Sequence, residues 1–483
     1  MIPLQLTSSL IKWIQVLSLT KKIDRKMKPM QTKVIYASQT DAHLDSNVYT
    51  GGGTDDTAVL QKVLDLALEY GGLYLIMDGA ALITGLVVHS HTTIECMNNE
   101  CGFYLADHAD GALLTNSNPS AKEIVNRNIS LLGGTFNHNC LHQAHHIPEG
   151  VPYKQADSFV VAISFFGVEN LLIRDVTVRN QRTFAFLITN WCRVTMENIC
   201  LELPDFIHGG NQDGIHLQGP GRFLILKNIQ GNTGDDFIAI NADEESCGEK
   251  NFFHPCATTG PVTDVLVDTV MVDDAAQVLR ILSRQSLVDR ITVRNISGRY
   301  RSFGFYLSAW DYLSKGYPGN FGSLLFENID VRQTKANYTY TEPFLFRISG
   351  NHASLMLKNI HYMDPTDDRY IIYVEGESDI KDIGSTPAEI ESLLIDGLHI
   401  QDGGPTRQSR PYVMVRGHVR QMIIRNGEIF CKNQKKAVLL ATDGELAKID
   451  RLVLSDIIAE KSIRLIEDRT GTIADYRANH LVS

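Results

Sequence analysis

Three carboxylates stand where two neighbouring segments open. "GNTGDDFIAIN" (residues 231–241) sets Asp235 and Asp236 side by side ahead of an apolar-alternating run, and "NQDGIHLQG" (211–219) sets Asp213 ahead of the previous one. Aligned by their apolar positions, Ile215 and Leu217 fall on Ile238 and Ile240, 23 residues apart. If 23 residues make one structural period, Asp213 stacks on Asp236 with Asp235 beside it. Like charges that close raise at least one carboxyl pKa, which divides the group into an acid and a base. Glycosidic cleavage needs such a division: one carboxyl protonates the leaving oxygen, and the other activates water or attacks carbon. A single aspartate at a turn more simply bonds backbone; three converging on one face point to chemistry.

Stacking requires a repeating scaffold, and the chain repeats. An alternating apolar run ending in Asn or Asp plus an aliphatic residue recurs as "LLIRDV" (171–176), "VTMENI" (194–199), "LILKNI" (224–229), "VLVDTV" (265–270) and "ITVRNI" (291–296). It continues as "LLFENI" (324–329), "LMLKNI" (355–360), "LLIDGL" (393–398) and "MIIRNG" (422–427). Alternation with period two marks strands, and a repeat of this length marks a solenoid. The expected fold is all-β: a single-domain parallel β-helix of about ten coils, with aliphatic side chains inside and the recurring Asn or Asp at a turn. The open end of such a stack must be covered. "TDDTAVLQKVLDLALEYGG" (54–72) supplies a capping helix over about 55–70, started by Thr54 or Asp55. Val59, Leu60, Val63, Leu64, Leu66 and Leu68 would form its apolar face. "GGLYLIMDGAALITGLVVHSHTTIEC" then reads as the first coils.

The chain has 483 residues and a net charge of −11 with no basic tract, which excludes nucleic acid and anionic membrane as main partners. Residues 1–33 read as a leader or a non-native extension ahead of a β-helix domain at 34–483. The apolar stretch there is interrupted by Lys12, too short to span a membrane, and followed by no small-residue cleavage site. A soluble protein is expected, with its compartment and oligomeric state open. None of the eight cysteines falls in a zinc-type pair of doublets, so most are expected as small buried hydrophobes. Cys247 and Cys256 flank one loop and would bridge only in an oxidising compartment. The histidines of "HNCLHQAHH" (138–146) match no metal spacing and read as a solvated loop.

The coil pattern, "GTDDTAVLQ" (53–61), "NQDG" and "GDDFIAIN" together resemble the polygalacturonase-type glycoside hydrolases of family 28. The resemblance implies a right-handed parallel β-helix, inversion of configuration and no cofactor. It makes Asp235 the general acid and has Asp213 and Asp236 hold and activate the water. The specific motifs span roughly residues 211–311. The second half departs from the family pattern, which runs N-T-D, G-D-D, G-H-G and R-I-K on successive coils. The family histidine falls on Gln277 of "QVLRILS" (277–283). "FGFYLSAW" (303–310) puts Tyr306 and Ser308 in place of Arg and Lys, while Trp310 agrees. Those two cations bind a galacturonate carboxylate in the family, so the expected substrate is a pectin-related poly- or oligosaccharide other than plain polygalacturonate.

Continuing the register puts His216, Ala239, Arg280 and Tyr306 in one outward column, and Gln218, Asn241, Leu282 and Ser308 in the next. His216, Asn241, Gln277, Arg280, Tyr306 and Trp310 are therefore the candidate substrate-binding residues, with Tyr312 and Tyr317 as further stacking faces. Arg280 as an ion-pair partner of Asp273 or Asp274 is the structural alternative. The insertion "ADEESCGEKNFFHPCATTG" (242–260), tipped by Phe252, Phe253 and His254, would close over the acids and favour attack on chain ends. Two other readings stay open: a polysaccharide lyase using Asp213, Asp235, Asp236 and Arg280, and a non-catalytic carbohydrate-binding β-helix.

Overall fold

The structure, a computed structural model, describes residues 31–144, 160–207, 211–244, 254–309, 317–334, 344–364, 370–376, 386–403, 410–431 and 437–482. Every strand pairing is parallel, and each coil lies on the one before it. The chain is a right-handed parallel β-helix. A typical coil contributes a short strand, a corner, and a longer strand that bends at one or more left-handed residues.

The interior follows from the alternation. Ile215, Ile238, Leu279, Phe305, Phe346, Ile372, Val413 and Leu440 stack in register as one inward column. Leu217, Ile240, Ile281, Leu307, Ile348, Val374 and Val415 form the adjacent one. All are buried, and each contributes roughly 1.5–3 kcal/mol of transfer free energy. Phe305 stacks on Phe346 with ring centroids 4.6 Å apart. The stack on this face runs thirteen strands deep, from Leu86–Val88 through Ile215–Asn232 and Asp236–Asn241 to Arg464–Asp468. That exceeds the ten or so coils expected, because the first coils and the last one lack the Asn-bearing repeat.

The bend in the longer strand is where the recurring Asn sits. Asn198, Asn228, Asn295, Asn328, Asn359 and Asn426 all have φ between 51° and 58°, a left-handed conformation that asparagine tolerates better than most residues. Their side chains bond from coil to coil: Asn228 Nδ2 to Asn198 Oδ1 at 2.8 Å, Asn328 to Asn295 at 2.9 Å, Asn359 to Asn328 at 2.7 Å. In "VLVDTV" and "LLIDGL" the left-handed residue is instead Thr269 or Gly397, and the Asp lies one position earlier. Asp268 and Asp396 still serve the ladder, accepting from Asn295 and Asn426 at 2.7 Å each.

The helix spans Thr57–Tyr70 and closes the first coil. Asp55 Oδ1 accepts from the Thr57 amide at 2.9 Å, whereas buried Asp56 turns away to accept the amides of His43 and Leu44. Leu60, Val63, Leu64 and Ala67 are its buried stripe. Leu68, expected on the apolar face, is 70% exposed, because Ala67 completes the three-to-four spacing from Val63 and Leu64.

Candidate active site

The acids sit where the register places them. Ile215 pairs with Ile238 and Leu217 with Ile240, and the Gly214 amide bonds the Asp236 carbonyl at 2.8 Å. Asp213 therefore lies one rung, roughly 4.8 Å, from Asp236. Gly214 makes this approach possible: a Cβ there would stand 2.5 Å from the Phe237 carbonyl and from Leu201 Cδ1. On the other side Asp236 pairs in register with Gln277, which is half-buried with its Oε1 unbonded.

Burial raises all three carboxyls, and the charge of Asp213 adds to the rise of Asp235 and Asp236. Asp235, half-buried at the rim, is pushed up to about 7, first by desolvation and then by the charge of Asp213, against the pull of Arg280 and Arg301. Asp236, 4% exposed, is raised well above the carboxylate range by desolvation and by both neighbours, and its Oδ1 has no hydrogen-bond partner. Asp213 is raised by burial but opposed by His216, whose Nδ1 lies 2.9 Å from Asp213 Oδ2. The three acids thus share fewer than three negative charges at neutral pH, and Asp213 is the one with a cationic partner.

His216 carries that positive charge. Burial alone would strip its proton, but hydrogen bonds to Asp213 and to Glu244, 3.2 Å from Nε2, hold its pKa at about 9. Phe184 stacks on the ring at 4.3 Å and 9°, fixing its plane. Arg280 Nη1 lies 3.1 Å from Glu244 Oε1, and the Asn241 amide also donates to this carboxylate. Glu244 stays ionised down to about pH 2; burial opposes this, and Arg280 and His216 outweigh it.

Both outward columns exist as aligned, with His216, Ala239, Arg280 and Tyr306 in register, and Gln218, Asn241, Leu282 and Ser308 beside them. They are not open to solvent. His216, Asn241, Arg280 and Tyr306 are buried, and Glu244, just past Asn241, contacts the first three. Tyr306 packs on Phe303 at 5.3 Å with the Arg347 guanidinium 5.0 Å from its ring. Arg280 pairs with Glu244, while Asp273 pairs with Arg299 and Asp274 with Arg301. His254 is no loop tip: its ring stacks on Phe166 at 4.0 Å. Trp310, Tyr312, Phe252, Phe253 and Cys247 lie outside the described residues, as do residues 1–30. Tyr317 stacks under the Arg284 guanidinium at 4.0 Å.

Two residues that pattern reading passed over complete the site. Arg301 Nη2 donates to the carbonyls of Gly234 at 2.6 Å and Thr233 at 3.2 Å, and its other arm reaches Asp274, so it clamps the turn that presents Asp235. Glu244 is the other; only its place just past an outward-facing Asn hinted at it. His138 is buried, not solvated: Nε2 bonds the Gly111 carbonyl at 2.9 Å and Nδ1 accepts the Arg182 amide. His145 and His146 lie outside the described residues. Cys96, Cys101, Cys140, Cys192 and Cys431 are buried and free, as expected; Cys200 and Cys256 are half-buried. Among the described residues no group of His, Cys, Asp or Glu is disposed to hold a metal, and no helix is long and apolar enough to cross a membrane.

Residues 127–297, the stretch containing all three acids, match the family described as Glycosyl hydrolases family 28. A polygalacturonase of Persea americana is 24% identical over 241 residues, covering 46% of this chain and 47% of that protein. One from Gossypium barbadense is 34% identical over 102 residues, covering 21% and 23%. The chain thus spans about half or less of the length of these relatives. In three dimensions it superposes on a family 28 exopolygalacturonase of Yersinia enterocolitica with a TM-score of 0.53 and 13% identity, covering 94% of this chain and 78% of that one. A tailspike variant of E. coli bacteriophage HK620, solved with a pentasaccharide, gives 0.54 at 10% identity, covering 89% and 75%. Likeness at that identity speaks for the β-helix alone; the likeness to family 28 rests on the match over residues 127–297.

Proposed function

We propose that the chain is a glycoside hydrolase that cleaves a pectin-related poly- or oligosaccharide by an inverting acid–base mechanism. The observation that carries this is the acid cluster: three carboxyls with raised pKa on two consecutive rungs, one of them held against an imidazolium. Asp235, the most accessible and half-protonated near neutral pH, donates to the leaving oxygen. Asp213, hydrogen-bonded to His216, draws the proton from water, with Asp236 holding that water beside it. Inversion requires the acid and the base to stand about 6.5–9.5 Å apart, with the attacking water between them. The relatives named polygalacturonase support a pectic substrate. Tyr306 and Ser308, standing where a galacturonate-binding Arg and Lys are expected, argue for a substrate other than plain polygalacturonate.

The test is a screen of pectic, rhamnogalacturonan and other oligosaccharides that follows new reducing ends and the ultraviolet absorbance of unsaturated uronates together. New reducing ends without absorbance support hydrolysis and identify the sugar. Absorbance would replace the reading with a lyase. Silence across glycans that the protein demonstrably binds would replace it with a binding β-helix.

A further inference from the structure

Glu244 lies three residues past the end of the strand that carries Asp236, and it gathers polar contacts from four residues. Its carboxylate takes His216 Nε2 at 3.2 Å on one oxygen, together with the Asn241 amide, and Arg280 Nη1 at 3.1 Å on the other. Its backbone carbonyl accepts from the Gln218 amide. Its four partners come from three successive coils: Gln218 and His216 from one, Asn241 from the next, Arg280 from the third. The preceding residue anchors the same segment elsewhere, since Asp243 Oδ2 accepts the amides of Arg284, Gln285 and Ser286 at 2.9, 2.8 and 2.6 Å. Glu244 is only 6% exposed. A carboxylate placed this deep is costly unless cations and donors surround it, and here they do.

We propose that Glu244 is a positioning residue: it orients the His216 ring so that Nδ1 faces Asp213, and it pins the chain leaving Asn241 across the outward columns. This rests on the reading of Asp213 as the base. The imidazole has two nitrogens, and the partner of one fixes what the other can do. With Glu244 on Nε2 and Phe184 against the ring face, Nδ1 has one orientation, aimed at Asp213. The charged groups around His216 are Asp213 on its own strand, Glu244 and Arg280, with Asp235 and Asp236 on the neighbouring rung. Removing the Glu244 charge leaves Arg280 facing His216 with no anion between them. The imidazolium is then favoured less, and Asp213 loses the cation that opposes the upward pull of burial on its carboxyl.

Glu244→Gln preserves shape while deleting the charge. The full chain, labelled at histidine, is titrated by NMR alongside the parent, and the unfolding midpoint of each is recorded. The His216 titration is expected to move down by about one pH unit or more. On a confirmed substrate, kcat is expected to fall about 10-fold or more, with a smaller change in KM. Glu244→Asp, which keeps the charge, is expected to recover part of both effects; should the Gln variant fail to fold, this one carries the test. An unmoved His216 titration in a folded Gln variant overturns the role of Glu244, whether or not a substrate is known. A moved titration with undiminished turnover instead overturns Asp213 as the base while leaving the His216–Glu244 coupling in place.

Discussion

Asp235→Asn is expected to trade activity for stability, and the size of the trade follows from the site. Asp235 has a pKa of about 7 in the folded chain against an ordinary 3.8, raised first by desolvation and then by Asp213. The folded carboxyl therefore holds its proton more tightly than the unfolded one. Between those two pH values the folded state binds more protons, so stability falls as pH rises through the window and stays low above it. At about 1.36 kcal/mol per pH unit the full cost of ionising Asp235 is about 4 kcal/mol, and partial exposure at the rim reduces it to roughly 2–3 kcal/mol. An amide pays none of this, and it also relieves Asp236, whose pKa Asp235 helps to raise. The variant should therefore unfold at higher urea concentration than the parent at pH 8, and at nearly the same concentration at about pH 3, where Asp235 is protonated in both the folded and the unfolded chain. Turnover should drop about 10²- to 10⁴-fold, the contribution of a positioned general acid. A variant no more stable than the parent at pH 8 would show that Asp235 is not held under repulsion. Undiminished turnover would remove it as the acid.

Other outcomes follow from particular contacts. Thr269 holds a left-handed backbone (φ 59°) in the stack between Asn228 and Asn295, which a β-branched side chain adopts only under strain. Thr269→Asn should raise the urea midpoint by an amount equivalent to about 1 kcal/mol. Arg347 and Glu375 form a buried two-pronged ion pair at 2.6 and 3.0 Å. Arg347→Met should cost about 3–5 kcal/mol by stranding the carboxylate, and adding Glu375→Leu should recover most of it, both read by denaturant unfolding. Arg301→Met frees the Gly234 and Thr233 carbonyls and should lower kcat on a confirmed substrate more than it changes KM, since it loosens the turn that presents Asp235.

The sequence by itself determined the scaffold and the acids. Period-two alternation and a repeat closing after one coil leave a parallel β-helix as the arrangement that buries every aliphatic face. The 23-residue offset between "NQDGI" and "DDFIAI" then stacks Asp213 on Asp236 with no further information. The same register put His216, Arg280 and Tyr306 in one column and Gln218, Asn241 and Ser308 in the next. Register is local arithmetic, so it could be read without coordinates. What covers those columns could not. Arg280 was legible as an outward cation but not as the partner of Glu244, because Glu244 arrives from an insertion that obeys no coil period. Arg301 was hidden for a related reason: it clamps the Thr233–Gly234 turn from 67 or more residues away along the chain, a contact set by side-chain reach across coils. The Asn ladder lay between these cases. Its recurrence announced a turn, but which residue takes the left-handed backbone at "VLVDTV", Asp268 or Thr269, depended on where the neighbouring coils put Asn228 and Asn295. Periodic backbone geometry is written in the sequence, whereas contacts made by aperiodic segments exist only once the coils are stacked.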